Sequence, residues 1–350
     1  MRAIPFVFPL SHNRAGRALA WFAAVVPVFG IASCGRYRDF SLPALEGQPT
    51  AVTWTWQAES APVLEPGPSG EWDSSDTLNP SVFPFASGLF NLYSGFDGKT
   101  WHTGLAISAD GGHWSKQGRV LSPGPAAWEG DYIAANGSAI VDGGTIRYYY
   151  QAGQPPRIGA ATSSDARRWS KLPGAVLDAG PYETWDERGV ADPYVVRFGP
   201  RFYLFYTGMD RARRQRLGVA VSGDGVIWTK LRANPILELG EYGDFDENGL
   251  GEPAVWTSRG WYWMLYTGRD RRENRRMGLA RSRDGVHWTK QPPVIAGAEP
   301  WDAKVVCDPS VLADGDAVRV WFGGGDVARP DERIHGRIGV ATLRANYSNR

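Results

Sequence analysis

Along most of this chain, short runs rich in Val, Tyr, Phe and Trp alternate with clusters of Gly, Pro and Asp. Runs of that length and composition, bounded by turn residues, read as β-strands rather than helices. One stretch shows the unit clearly: ADPYVVRF, RFYLFYTG, RLGVAVS and WTKLRANPIL follow one another as four strands between residues 191 and 237. Between the third and fourth runs lies a tight turn, seen at Ser108–Trp114, Ser163–Trp169, Ser222–Trp228 and Ser282–Trp288. Ser and Asp side chains there can bond nearby backbone amides, and Gly supplies positive backbone angles, so these segments are expected to be structural turns.

The unit repeats. An aromatic–acid pair recurs at Trp72-Asp73, Trp128-Glu129, Trp185-Asp186, Phe245-Asp246 and Trp301-Asp302, spaced 56, 57, 60 and 56 residues apart. Each pair leads to one polar residue before Pro or Gly at the head of an apolar run: Asn79, Asn136, Asp192, Glu252 and Asp308. Such a period marks stacked or radially arranged supersecondary units. Four-stranded units set in a ring make a β-propeller, which hides its sheet edges by circular repetition. The last copy stops after a third strand, Arg337–Leu343, whereas Trp54–Leu64 resembles the fourth strands of other copies. The prediction is an all-β, five-bladed propeller over residues 53–350, its fifth blade completed by the N-terminal strand.

Composition agrees: 43 Gly, 25 Pro and 16 Trp suit a turn-rich aromatic β-domain. A formal net charge of +1 gives no global reason to expect nucleic acid as a partner. The first 34 residues differ. Arg2, Arg14 and Arg17 precede the apolar stretch 18–33, and Ile31-Ala32-Ser33-Cys34 resembles a bacterial lipoprotein box. That pattern predicts an export signal over 1–34, lipidation at Cys34, a polar tether over 35–52 and residence at the bacterial cell envelope. An ordinary signal peptide or an uncleaved anchor is the other reading. Cys307 is the one other cysteine, expected as a small buried residue pointing away from its neighbour Asp308. No His/Cys cluster has metal-ligand spacing, so neither metal nor cofactor is expected, although an acid-rich axis leaves room for an ion. The protein is expected to be a monomer.

In a propeller the first strand of each blade lines the central channel, so the five polar residues should meet there. Three carboxylates in one funnel repel, which raises at least one pKa and supplies a protonated acid. Two carboxyl groups flanking a sugar bond are the minimal equipment for glycoside hydrolysis. The plainer reading is that Asp-Pro and Glu-Pro at a strand head fix the blade.

With those motifs the chain resembles the five-bladed glycosidases of glycoside hydrolase families 32, 43 and 68, and more loosely the mannoside phosphorylases of family 130. The resemblance implies a carbohydrate substrate. It matches Glu252 in GEPAVW to the general acid, and Asp192 in VADPYV to the carboxylate that orients it or tunes its pKa. The first blade departs: LNPSVF places Asn79 where the base should be, and an amide cannot take a proton from water. Three ways round this stay open. They are Asp76 reaching the water, Asp308 and Asp192 pairing with Glu252 between them, and phosphate attacking without a base. Arg188 and Lys304, each four residues before its Asp, would suit the last as phosphate contacts. Two loops also carry arginines, at 211, 213, 214 and 216 and at 269, 271, 272, 275 and 276, which predicts either a basic mouth for an acidic polymer or solvated charge. Trp128, Trp185 and Trp301 are candidates both for stacking on sugars and for packing between strands. A carbohydrate-binding or surface-assembly propeller without catalysis is the alternative from another class.

Overall fold

The computed structural model describes residues 36–124, 126 and 128–347. The proposed signal and Cys34 lie outside the described residues. The described chain is all-β apart from one short 3-10 turn, Pro300–Asp302. Five antiparallel four-stranded blades follow in order. Blade 1 is Asp76–Phe85, Gly88–Phe96, Trp101–Ser108 and Ser115–Leu121. Blade 2 is Ala134–Asp142, Thr145–Ala152, Arg157–Ser163 and Ser170–Lys171. Blade 3 runs Gly189–Phe198, Arg201–Met209, Gln215–Ser222 and Thr229–Leu231, and blade 4 Gly249–Ser258, Trp261–Arg269, Arg275–Ser282 and Trp288–Ile295. Blade 5 has Val305–Asp314, Ala317–Gly325 and Arg337–Tyr347, closed by Val52–Ala58 pairing antiparallel to the last of these. The ring is therefore shut by its N-terminal strand, as the missing fourth strand of the last repeat implied.

Apolar clusters fill the space between neighbouring blades. One joins Trp256, Trp263 and Leu265 of blade 4 to Val311, Val320 and Phe322 of blade 5 and Trp54 of the closing strand. Near the axis, serines stitch inner strands together. Ser310 Oγ accepts from Val82 N at 2.9 Å, Ser81 Oγ from Ala139 N at 2.8 Å, and Ser138 Oγ from Val195 N at 3.1 Å. The tight turns form as their residues require. In blade 4, Ser282 Oγ accepts from Gly285 N, Asp284 Oδ1 accepts from Val286 N and His287 N, and Trp288 Nε1 donates to Gly285 O.

The aromatic–acid pairs prove to be scaffold. Trp185 lies over two glycines of its own blade: a Cβ at Gly208 or Gly218 would come within 2.3 or 2.6 Å of its ring. Trp128 and Trp301 sit likewise against Gly159 and Gly324, so all three tryptophans pack between strands, Trp185 also lining an open groove at the rim. The acid beside each aromatic is buried with a tyrosine and a lysine of the same blade. Asp73, Glu129, Asp186 and Asp246 take Lys116, Lys171, Lys230 and Lys290 at 2.7, 2.6, 2.5 and 2.6 Å. They also accept from the hydroxyls of Tyr93, Tyr150, Tyr206 and Tyr266. Blade 5 has Phe322 at the tyrosine's place, and Asp302 instead bonds Glu299 N.

Two expectations need correction. The fourth strand of blade 3 is shorter than predicted: it runs Thr229–Leu231, and after the cis peptide Asn234-Pro235 only an isolated bridge, Leu217 to Leu237, resumes the pairing. The segment expected as a free tether is packed on the ring over its described part. Tyr37–Arg38 pairs with Lys230 and Leu231, Leu42 is buried against Gly285, and Tyr262 Oη donates to Pro43 O.

Candidate active site

Every inner strand is interrupted at the same point. Pairing with the second strand shifts register between Leu78 and Ser81, Ala135 and Ser138, Ala191 and Tyr194, Gly251 and Ala254, and Cys307 and Ser310. The residue in each bulge has left-handed backbone, with φ of 47, 49, 47, 53 and 54° at Asn79, Asn136, Asp192, Glu252 and Asp308. Asn and Asp tolerate that conformation, which gives a structural reason for four of the five. Glu has no such advantage, and a non-glycine residue held there costs on the order of 1 kcal/mol. Glu252 is therefore the position at which bulge geometry alone does not account for the side chain.

The bulges aim all five side chains into one axial channel, lined by these residues and the two following each, except that blade 4 contributes only Glu252 and Pro253. Asn79, Asn136, Asp192, Glu252 and Asp308 thus meet, although each lies about one blade from the next in sequence. A hydroxyl from the preceding blade holds several bulge amides: Asn136 N donates to Ser94 Oγ at 2.9 Å, Glu252 N to Thr207 Oγ1 at 3.2 Å, and Asp308 N to Thr267 Oγ1 at 3.3 Å. Blade 5 has Gly323 at this place and offers no hydroxyl. The Asp308 carboxylate fills the gap, and its Oδ2 accepts from Asn79 N at 3.2 Å. A Cβ on Gly323 would stand 2.7 Å from that same oxygen. Asp308 is thereby drawn into the wall, 5% exposed, with Oδ1 left unpartnered.

The electrostatics follow from burial and crowding. Burial, then the Glu252 carboxylate, push Asp192 up to about 7. The same two causes hold Asp308 well above the ordinary carboxylate range. Glu252 stays partly open to the channel, with Oε2 accepting from Asp308 N at 3.2 Å. Nearby lies Arg275, 5% exposed. Burial opposes its charge, but Cys307, Glu252, Asp331 and Asp308 together keep its pKa above the usual value. Its guanidinium also donates to Arg329 O at 3.3 Å and approaches Asp331 at 3.8 Å. Sequence reasoning had set Arg275 in a surface loop; its place at the first residue of a third strand, paired with Val305 of the next inner strand, puts it beside the channel instead. The charge run around it hid this.

Other predicted positions separate from the channel. Asp76 cannot reach a water there: it is fully buried, and its carboxylate accepts from the backbone of Arg333, Ile334 and Gly336 at 2.5, 3.1 and 2.8 Å. It caps the loop between the second and third strands of blade 5. Arg188 and Lys304 are exposed and do not line the channel. Cys307 is buried, but the bulge breaks strand alternation, so its thiol meets Asp308 and donates to Oδ2 at 3.1 Å. Glu252, Cys307 and Asp308 bring ligand-type atoms within 4.8 Å of one another. The trio suits a cation poorly, because burial keeps the thiol and Asp308 protonated and Arg275 already supplies positive charge.

The basic mouth is largely cancelled. Arg211 pairs with Glu187, Arg214 and Arg216 with Asp210, Arg269 with Glu273, Arg271 with Glu247 and Arg275 with Asp331. Arg213, Arg272 and Arg276 have no ion pair among the described residues.

A ring of five bulged strands converging on carboxylates is the architecture of propeller glycosidases. The family model described as the glycosyl hydrolases family 32 N-terminal domain matches residues 89–299, and the chain belongs to that family. An uncharacterized protein of Mycobacterium tuberculosis is 29% identical over 227 residues, which cover 60% of this chain and 75% of that one. Among solved structures, one called a glycoside hydrolase superposes with a TM-score of 0.68 at 19% identity, covering 82% of this chain and 92% of its own. Another, from the family 130 mannoside phosphorylases that contain glycoside hydrolases targeting β-1,2 mannosidic linkages in Candida mannan, gives 0.65 at 17%, covering 87% and 96%. At such identities these two structures speak for the fold alone.

Proposed function

We propose that this chain is a glycosidase in which Glu252 delivers a proton to the leaving oxygen of a sugar bond and Asp192 sets the proton's availability. The observation that carries this reading is the Asp192 carboxyl at about 7 in a channel shared with Glu252. Burial and the nearby Glu252 carboxylate favour a proton on Asp192 near neutrality, and that proton sits in the channel beside Glu252. Such a pair can give a proton up at neutral pH, where an ordinary carboxylic acid is already ionised. Asp308 serves as a neutral wall group that bonds Asn79 N, and Arg275 balances the negative charge that appears when the proton leaves. Asn79 offers an amide to a substrate hydroxyl or to the attacking group, but no base.

The missing base favours a second reading of the attack step, in which phosphate rather than water is the nucleophile. Phosphate carries its own negative charge and needs no proton removed. The exposed Arg188 and Lys304 lie outside the channel lining, so this second reading rests on the missing base and not on those two groups.

The test is turnover of a panel of oligosaccharides with and without inorganic phosphate, using the parent and Glu252→Gln. Loss of the acid is expected to lower kcat by about 10²–10⁴-fold. Turnover unaltered by the substitution removes the assignment. A parent protein that binds glycans but cleaves none identifies a binding propeller instead.

A further inference from the structure

Two blades carry something that the repeat does not require. In blades 3 and 4 the loop before the inner strand raises a tyrosine into solvent, Tyr182 at 72% and Tyr242 at 82% exposure. Each stands two residues after a glycine, Gly180 or Gly240, whose N–H donates to the carbonyl of Asp186 or Asp246. At the corresponding places after Gly67, Gly124 and Gly297 the other blades have Ser69, Ala126 and Glu299. An arginine from the next loop of the same blade lies over each ring: Arg211 is 4.1 Å from the Tyr182 centroid, and Arg271 is 4.6 Å from that of Tyr242. Each arginine is held by a glutamate two residues beyond the blade's aromatic, Glu187 at 2.9 Å or Glu247 at 3.2 Å. Glu187 and Glu247 also take the N–H of Glu183 and Gly243, which fastens the loop tips. The same three-residue device is thus built twice, 60 residues apart, on adjacent blades. Blade packing does not explain it, since blades 1, 2 and 5 pack without it.

These loops lie at the channel's end of the ring: the blade 3 inner strand starts at Gly189, three residues before Asp192, and Arg188 N donates to Met209 O beside Arg211. Beside this loop an open groove, which Tyr182 itself does not line, runs past Trp185 and Thr184, lined also by Glu187, Asp210, Arg211 and Arg214. Its arginines are matched by its own carboxylates, so it offers hydrogen-bonding groups with little net charge. An arginine stacked behind a ring orients it and leaves the opposite face in water. A flat apolar face on a fixed mount suits the C–H face of a sugar ring, and tyrosine provides such contact at small entropic cost. Paired Arg and Glu around it suit hydroxyls rather than carboxylates or sulfates.

From this we infer that the blade 3 and blade 4 rim is a second glycan-binding surface, in which Tyr182 and Tyr242 seat successive stretches of one neutral polysaccharide chain leading to the channel. The inference deepens the glycan reading of this face, and its test is independent of turnover. Affinity electrophoresis through gels containing levan, arabinan, β-mannan or polygalacturonate measures polymer binding directly. At least one neutral polymer is expected to retard the parent and Glu252→Gln equally. The double variant Tyr182→Ala/Tyr242→Ala is expected to bind on the order of tenfold more weakly, whereas Tyr182→Trp/Tyr242→Trp retains binding. Turnover of a p-nitrophenyl glycoside, too short to reach the rim, is expected to be unchanged in the double alanine variant. Equal retardation of parent and double alanine variant overturns the inference, as does retardation by polygalacturonate alone or by none of the polymers. Retardation lost only in the alanine variant of a protein that cleaves nothing supports the rim and rejects the catalytic reading.

Discussion

Two rings of carboxylates run through this molecule, and they differ most in how their charge is met. In the outer ring Asp73, Glu129, Asp186 and Asp246 each have a lysine of their own blade within hydrogen-bond distance. In the axial ring Asp192, Glu252 and Asp308 have no dedicated lysine, and one buried arginine, Arg275, sits among them. A buried carboxylate with its own cation keeps its charge and holds structure together. A buried carboxylate without one keeps its proton, and a transferable proton near neutrality is what acid catalysis needs. Repetition alone therefore does not separate scaffold from site; a lysine counter-charge marks four of the five scaffold acids, and Asp302, buried without one, is set apart from the axial acids by lying outside the channel.

The comparison breaks most visibly at Lys230, the most enclosed of the four lysines, with 7% of its side chain exposed against 33% for Lys290. Lys230→Ala leaves Asp186 with only the hydroxyls of Tyr206 and Thr184 and no cation, and is expected to cost about 3–5 kcal/mol, measured by urea unfolding. Activity per folded molecule should stay the same. A loss of activity without a loss of stability would merge the two rings into one functional system.

Asp192→Asn tests the axial ring in the opposite sense. The folded carboxyl titrates at about 7 against an ordinary value of 3.8, so the folded chain binds the extra proton between these limits. Its contribution to stability is complete below about pH 4 and is lost as pH rises through 7. The asparagine variant should therefore match the parent at pH 4, exceed it in stability at pH 8.5, and lose the fall in activity above pH 7. Urea midpoints and pH–rate profiles check this, with Asp308 supplying whatever slope remains. A variant no more stable than the parent at high pH would show that Asp192 is not held neutral.

The smallest effect is expected at Gly323. Adding a methyl there crowds the Asp308 oxygen that bonds Asn79 N, at a cost of about 1–3 kcal/mol. Gly323→Ala should also displace Asp308 and shift the pH–rate profile, because the axial carboxyls are coupled. An unshifted profile would make Asp308 structural and nothing more.

Much of this was legible in the residues because a repeat multiplies weak signals. One strand of Val and Tyr is ambiguous, but five copies with the same turn and the same polar head define blades, and the truncated last copy points to its missing strand. The lysine of the outer triads was equally visible, since Trp-Ser-Lys or Trp-Thr-Lys recurs at 114–116, 169–171, 228–230 and 288–290. It passed unnoticed because its partner lies about 43 residues upstream, as in Asp73 to Lys116. Asp76 looked like a spare base beside Asn79, yet its partners are backbone amides more than 250 residues away.

What the order of residues determined alone was the unit, its number, the closure of the ring and the five axial positions, all consequences of local periodicity. Only the folded ring decided which charges meet. It turned Cys307 toward Asp308 through a bulge, paired Arg211, Arg271 and Arg275 with acids of other loops, and sank Arg275 beside Glu252. Charge pairing depends on distance and burial, and those are properties of three dimensions that no repeat along the chain encodes.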